Sequence, residues 1–426
     1  MPPPQYSNMA YSKDRKLRLA YFVSHPIQYQ APLLRRIARE PDLDLKAFFS
    51  SDISLQGYID SGFGVSVQWD VPLLDGYNHE FLPVLRKAKQ ISFFQPINSG
   101  IKSVLRMQGF DAVWIHGYST STTMRAIFAA SSLNLPVLLR AESTLTDRPR
   151  SGIKVRAKRL FFAMLRKRVS ATLAIGEDNA AYWRHYFGEQ FPIFPFYYTV
   201  DNLFFQKKCA EAAKGREEFR QSLNLDAGRP VILYASKLQT RKHCDDLLEA
   251  FLDVRKTSAS GRAPYLLIVG DGEERAALEQ RAKAAEAGDV RFLGFRNQTE
   301  LPRFYDLCNV FVLPSVSEPW GLVVNEVMNA GRAVIVTDEV GCQKNLVQHG
   351  VNGCVYKARD VAALAECLRT VLADEQTWQT MGAESLRIIN GFDFEQNVRG
   401  LRQALAHIVP GFPAVRSDEL IAEAAL

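Results

Sequence analysis

No apolar run in this chain approaches the ~20 residues that a membrane-spanning helix requires. Its six cysteines form no Cys-x-x-Cys pair and carry no attached histidine pattern, which argues against a zinc site and against a secreted disulfide framework. Free thiols in a cytosolic protein are the simplest account of them. Internal repeats and low-complexity tracts are also missing. The opening residues, Met1-Pro-Pro-Pro-Gln-Tyr-Ser-Asn, lack the basic and apolar regions of a signal peptide, and residues 1–14 read as a flexible tail. Charge of one sign is scarce. The 52 Lys and Arg against 46 Asp and Glu leave +6 on 426 residues, too little to imply nucleic-acid binding.

What is present fits a globular α/β protein of two or three domains, with 47% hydrophobic residues and 23% charged. Short apolar runs alternate with helical patterns. Leu17–Val23, Leu43–Phe49, Phe110–His116, Val137–Arg140 and Ala171–Ile175 read as strands, with a helix over Ala31–Arg39. Such alternation implies a parallel sheet covered on both faces. The pattern then restarts. Pro230–Ala235, Tyr265–Gly270, Val290–Gly294, Val310–Leu313 and Ala333–Thr337 read as strands, and Cys244 begins a helix. Two βα series of domain size predict two Rossmann-like halves, 15–199 and 200–392. A last helix is expected over 393–409, and 410–426 has no clear assignment.

The most informative stretch is Ser315-Val-Ser-Glu318-Pro-Trp320-Gly321-Leu322-Val323-Val-Asn-Glu326. A strand ends in a loop carrying Glu318, Gly321 opens a helix, and Glu326 lies within its first two turns. Free N–H groups at a helix start favour an anion. The two carboxylates can reach hydroxyls on either side of a bound phosphate, which is the chemistry needed to hold a nucleotide sugar. Upstream, Lys237 and Lys242 lie between a strand and a helix, where two ammonium groups can converge on a diphosphate.

The Glu318/Glu326 spacing resembles the signature of the family-4 retaining glycosyltransferases. Residues 230–395 resemble that family almost continuously, including Ala235–Phe251, Val269-Gly-Asp-Gly-Glu and Gly341 followed by Asn345–Gly353. The resemblance implies a GT-B fold: two Rossmann-like domains facing across a cleft, with the C-terminal helix crossing back to the first. It further implies that Glu326 takes the ribose and Glu318 the transferred sugar. Trp320, Gly321, Leu322 and Val323 would line the pocket, with Phe295 and Arg296 near the base. Lys237 stands where the family generally has Arg, losing the planar fork, and Ser236 and His243 replace glycines.

Two histidines follow predicted strands in the first half, at the edge where open α/β sheets bind ligands: His25 in Ser24–Tyr29 and His116 in Trp114–Tyr118. His116 matches a strand-end histidine of the family close to the reacting sugar. His25 replaces the family's glycine-rich first loop. Arg140-Ala-Glu142-Ser143 either adds polar contacts or forms a local ion pair. The basic segment Arg148–Arg168 reads most simply as a solvated face, while a lipid-linked acceptor would give contact with an anionic membrane surface a chemical reason.

The sequence reading is a retaining hexosyl transfer from a nucleotide-diphosphate sugar to a glycan, lipid-linked or other hydroxyl acceptor, in surface-polysaccharide or glycoconjugate synthesis. The protein is expected in the cytoplasm or on the inner face of the membrane. No Asp-x-Asp triad lies in a plausible metal loop, and with Lys237, Lys242 and the helix tip in place no metal or cofactor is expected. The resemblance implies a front-face mechanism in which the leaving phosphate helps deprotonate the acceptor. The alternatives are an epimerase or phosphorylase of the same fold, or a non-catalytic partner subunit.

Overall fold

Strand Leu17–Val23 (β1) is buried along nearly its whole length, and its side chains alternate between two cores. Leu17, Leu19, Tyr21 and Val23 join one cluster, while Ala20 and Phe22 join the other. That period of two is what a parallel sheet covered on both faces demands. A computed structural model describes residues 11, 12, 14–59, 64–86, 90–145, 152–258 and 263–415. It divides into two compact units, Met1–Gln56 with Pro72–Tyr198 and Phe394–Leu426, and Gly57–Val71 with Thr199–Asp393. Most of the expected tail 1–14, and residues 416–426, lie outside the described residues.

In the first unit β1 is followed by Leu43–Phe49 (β2), Asn78–Phe81 (β3), Ala112–His116 (β4), Val137–Arg140 (β5), Ala171–Ala174 (β6) and Ile193–Pro195 (β7). Their order is β3-β2-β1-β4-β5-β6-β7, all parallel. The strand expected from Phe110 begins at Ala112, because Asp111 is used in entering the strand. Its N–H donates to the Arg18 carbonyl and its carboxylate accepts the Arg18 N–H at 2.8 Å.

The last helix, Phe394–Ile408, belongs to this unit. Val398, Leu401, Leu405 and Ile408 recur at helical spacing and enter the same cluster as Leu19 and Tyr21. Each buried leucine contributes about 1.5–3 kcal/mol. Arg402, 1% exposed, pairs with Glu40 at 3.0 Å and Asp42 at 2.7 Å. At Gly400 the helix approaches β7 so closely that a Cβ would stand 1.8 Å from the Pro195 carbonyl oxygen.

The second unit repeats the plan with Val231–Ala235 (β8), Tyr265–Val269 (β9), Val290–Gly294 (β10), Val310–Leu313 (β11), Ala333–Thr337 (β12) and Gly353–Tyr356 (β13). The order is β10-β9-β8-β11-β12-β13, again parallel. Segment 57–71 reaches this unit through Asn297 Nδ2, which donates to the Gln68 carbonyl at 2.6 Å, and through the Thr299 N–H, which donates to Asp70 at 3.1 Å. Nothing in the strand pattern announced that attachment. In each unit the strand order reverses beside the first strand, between β1 and β4 and between β8 and β11, and ligands of such sheets bind beyond the carboxyl ends at that point.

Candidate functional site

In the second unit the loops after β8 and β11 meet at the reversal. The first carries Lys237 and a short helical turn, Thr240–Lys242, before the helix Cys244–Thr257. The second carries Glu318, Pro319 and Trp320. The Val316 N–H donates to the Arg241 carbonyl at 2.9 Å, and the Gly341 N–H to the Glu318 carbonyl at 2.8 Å. Gly341 has no substitute there, since a Cβ would lie 2.1 Å from the Pro319 oxygen.

Lys242 is 7% exposed, and its Nζ donates to Glu318 Oε2. Arg241, half exposed, places Nη1 3.5 Å from the same oxygen. Burial pushes the Lys242 ammonium down, offset in part by Glu318, and the neighbouring Arg241 and Lys237 push the same way as burial. Two cations, Lys242 and Arg241, around one carboxylate leave a net positive centre at the carboxyl edge of the sheet. His243 follows with φ 47°, the left-handed region that favours glycine, which is what the family's glycine at this position would provide.

Glu326 lies on the helix Leu322–Met328, with Gly321 at its N-cap in the left-handed region. Tyr305 donates its hydroxyl to Glu326 Oε2 at 2.5 Å. Burial raises the Glu326 carboxyl to about 7, with the Tyr305 hydrogen bond opposing the rise. Leu322 and Val323 are half-buried in the helix's first turn. Trp320 is 2% exposed, and its indole N–H donates to Asn325 Oδ1 at 2.8 Å, so it acts as a core anchor for the loop. Phe295 and Arg296 follow β10, and Arg296 reaches Glu300 at 3.5 Å. The structure thus joins Lys242 to Glu318 and brings Lys237's charge to bear on Lys242, while Glu326 has its own partner in Tyr305.

In the first unit, His116 ends β4. Its Nδ1 lies 3.1 Å from Tyr21 Oη and 3.1 Å from Gln30 Nε2, and its Nε2 lies 3.7 Å from Glu142 Oε1. Burial holds the imidazole below its ordinary range, opposed by the neighbouring Glu142 carboxylate. His25 bonds Ser24 Oγ through Nδ1 at 2.8 Å, and burial lowers it to about 4. Arg140, 1% exposed, lies over the rings of Phe196 and Tyr198 at 5.0 and 4.4 Å.

Residues 215–386 match the family model for glycosyl transferases group 1. Among curated relatives, the D-inositol 3-phosphate glycosyltransferase of Nocardia farcinica is 27% identical over 208 residues, 47% of this chain and 46% of that protein. The glycogen synthase of Mycobacterium tuberculosis is 32% identical over 170 residues, 39% of this chain and 40% of that one. The chain spans less than half the length of these relatives. The Anabaena HepE structure in complex with UDP-glucose superposes with TM-score 0.66 at 18% identity, covering 92% of this chain and 99% of that one. The chain has the GT-B fold.

Sequence reasoning on this GT-B chain missed Arg241, although it stands beside Lys242 in the same turn. It also missed Tyr305, Tyr21 and Gln30. Tyr305 and Tyr21 sit inside apolar runs, where a tyrosine reads as core, and only the neighbouring carboxylate or imidazole reveals the use of the hydroxyl.

Proposed function

We propose that this protein is a family-4 retaining glycosyltransferase that moves a hexosyl group from a nucleoside-diphosphate donor to a hydroxyl acceptor in polysaccharide or glycoconjugate synthesis. The observation that carries the reading is the Lys242–Glu318 pair, with Arg241 and Lys237 beside it, at the strand-order reversal of a unit matching glycosyl transferases group 1. Glu326 receives the ribose hydroxyls and Glu318 those of the transferred sugar. Fixed cations stabilise the departing diphosphate more than the bound donor, because charge accumulates there as the bond breaks. That fixed charge supports transfer without a metal. UDP-glucose in the HepE complex supports a nucleoside-diphosphate sugar as donor.

The helix Gly152–Arg166 contains no acidic residue. It exposes Ile153 and Leu160, 81% and 74% accessible, among Lys154, Arg156 and Arg159. This supports peripheral contact with an anionic lipid surface on the cytoplasmic side, which suits a lipid-linked acceptor. No described helix is long and apolar enough to cross a membrane.

The test is incubation of the purified protein with a panel of UDP-, GDP- and ADP-sugars, reading released nucleoside diphosphate. Release is expected with at least one donor and should persist in EDTA. The anomeric coupling of an α-linked donor should reappear in the product. Inversion would overturn retention, loss in EDTA would overturn metal independence, and no release from any donor would overturn the transferase reading.

A further inference from the structure

The start of the helix Cys244–Thr257 gathers three side chains of metal-ligand type. His243 is its N-cap but makes no side-chain cap hydrogen bond, and Asp245 and Asp246 occupy its first turn. His243 Nδ1 lies 3.7 Å from Asp245 Oδ1 and 3.4 Å from Asp246 Oδ2, and one ligand atom from each residue falls within 4.8 Å of the other two. Carboxylates in a first turn complement the helix dipole, which accounts for their sign. It does not account for their partners. His243 Nδ1 and Asp246 Oδ2 are buried, and among the described residues neither has a hydrogen-bond partner.

A third buried group bears on the same place. Tyr356, at the end of β13, is 5% exposed, and its hydroxyl has no hydrogen-bond partner among the described residues. Asp246 acts on that hydroxyl more strongly than any other charge. Buried polar atoms are rarely left unpaired, and a divalent cation would take a lone pair from Nδ1 and from Oδ2 together. Zinc held by nitrogen and oxygen in a tetrahedron spaces its ligand atoms about 3.3–3.6 Å apart. The Asp246 contact already has that spacing, and the Asp245 contact stands just outside it. The charges that bear on Asp246 are Asp245 and Glu249 of one sign and His243 and Arg359 of the other, while Lys242 directs its ammonium to Glu318.

We propose that His243, Asp245 and Asp246 form a binding site for a borderline divalent cation, zinc foremost, which clips the loop after β8 to the start of the following helix. An imidazole among the ligands suits zinc, cobalt or nickel, whereas magnesium and calcium take oxygen ligands. Water completes the coordination and gives the Tyr356 hydroxyl its partner. The site also gives a use to the backbone of His243, whose φ of 47° would suit glycine better; the ion offsets what that conformation costs. The proposal is independent of the transfer reading and assigns the ion no step in it, so nucleoside-diphosphate release in EDTA is a separate measurement.

The experiment is calorimetric titration of chelator-treated full-length protein with zinc chloride, with magnesium chloride as the control. One zinc per chain is expected in the wild type, bound at least about tenfold more weakly in His243→Gly and in Asp246→Asn. Glycine suits the left-handed backbone, so His243→Gly should fold, and its thermal midpoint should not respond to zinc while that of the wild type rises. Cobalt bound to the wild type should show visible ligand-field absorption without the near-ultraviolet band of a thiolate ligand. No zinc binding by the wild type, or undiminished binding by both variants, overturns the site. A thiolate band would place the ion on the buried cysteines and overturn it equally, and an equal response to magnesium would overturn the choice of cation.

Discussion

Lys242 donates its ammonium to Glu318, joining the loop after β8 to the loop after β11 through two side chains that are 8% and 12% accessible. The ion pair ties the two loops together at the strand-order reversal. A buried pair of this kind is costly to break and gives modest net stability while intact. Its value lies in fixing where the charges stand.

Lys242→Met should therefore destabilise the second unit by about 1–3 kcal/mol, the cost of a carboxylate left without its partner, moderated by Arg241 at 3.5 Å. The double variant Lys242→Met/Glu318→Leu should lose less than the sum of the single changes. Urea unfolding of the four proteins checks this, and strict additivity would show that the pair does not couple. In turnover assays, Lys242→Met should lower kcat/KM more than it weakens binding of the unreacted donor.

The affinity for UDP, used as a probe, should rise with pH across neutrality. Glu326 titrates near 7 when folded, and its ionised form is the stronger acceptor for ribose hydroxyls. The same shift has an opposite sign for stability. The folded value is raised above 4.5, so between about 4.5 and 7 the folded state binds more protons and stability falls as pH climbs. Calorimetric titration at several pH values should show the affinity rise in the wild type and a flat, at least roughly tenfold weaker profile in Glu326→Ala. A flat wild-type profile would remove Glu326 from the ribose.

Gly400→Ala should cost about 1–3 kcal/mol or more, because the added methyl must displace the last helix from the Pro195 carbonyl. The helix carries Leu401 and Leu405 into the first unit's core. A wild-type denaturation midpoint in this variant would mean that the helix shifts freely.

Ile153→Ser with Leu160→Ser should reduce sedimentation with anionic phosphatidylglycerol vesicles, leaving neutral phosphatidylcholine vesicles unbound in both proteins. Both side chains are exposed on the helix Gly152–Arg166, so folding should be unaffected. Equal sedimentation of variant and wild type would show that this face does not meet lipid.

Five strands of each sheet were legible because a parallel sheet buries both faces, and continuous apolar runs such as Val137–Arg140, Val310–Leu313 and Ala333–Thr337 mark themselves, whereas the strands Asn78–Phe81, Ile193–Pro195 and Gly353–Tyr356 were not read from the sequence. The order of Glu318, Gly321 and Glu326 was legible for the same local reason, since a strand, a loop and a helix start follow one another within a few residues. Partners were not. Lys242 and Glu318 are 76 residues apart, and Tyr21 and His116 are 95 apart. Only the order of strands in the sheet sets β8 beside β11 and β1 beside β4. Trp320 shows the same limit from the other side: the resemblance implied a place in the pocket lining, and only the folded chain shows its indole N–H donating to Asn325. Sequence by itself determined the elements and the chemistry each loop carries, because propensity and burial pattern are local. Tertiary structure decided which charges meet, which tyrosine hydroxyls serve a neighbour and which carboxylate is held near neutrality, because desolvation and hydrogen bonding depend on residues that only the folded chain brings together.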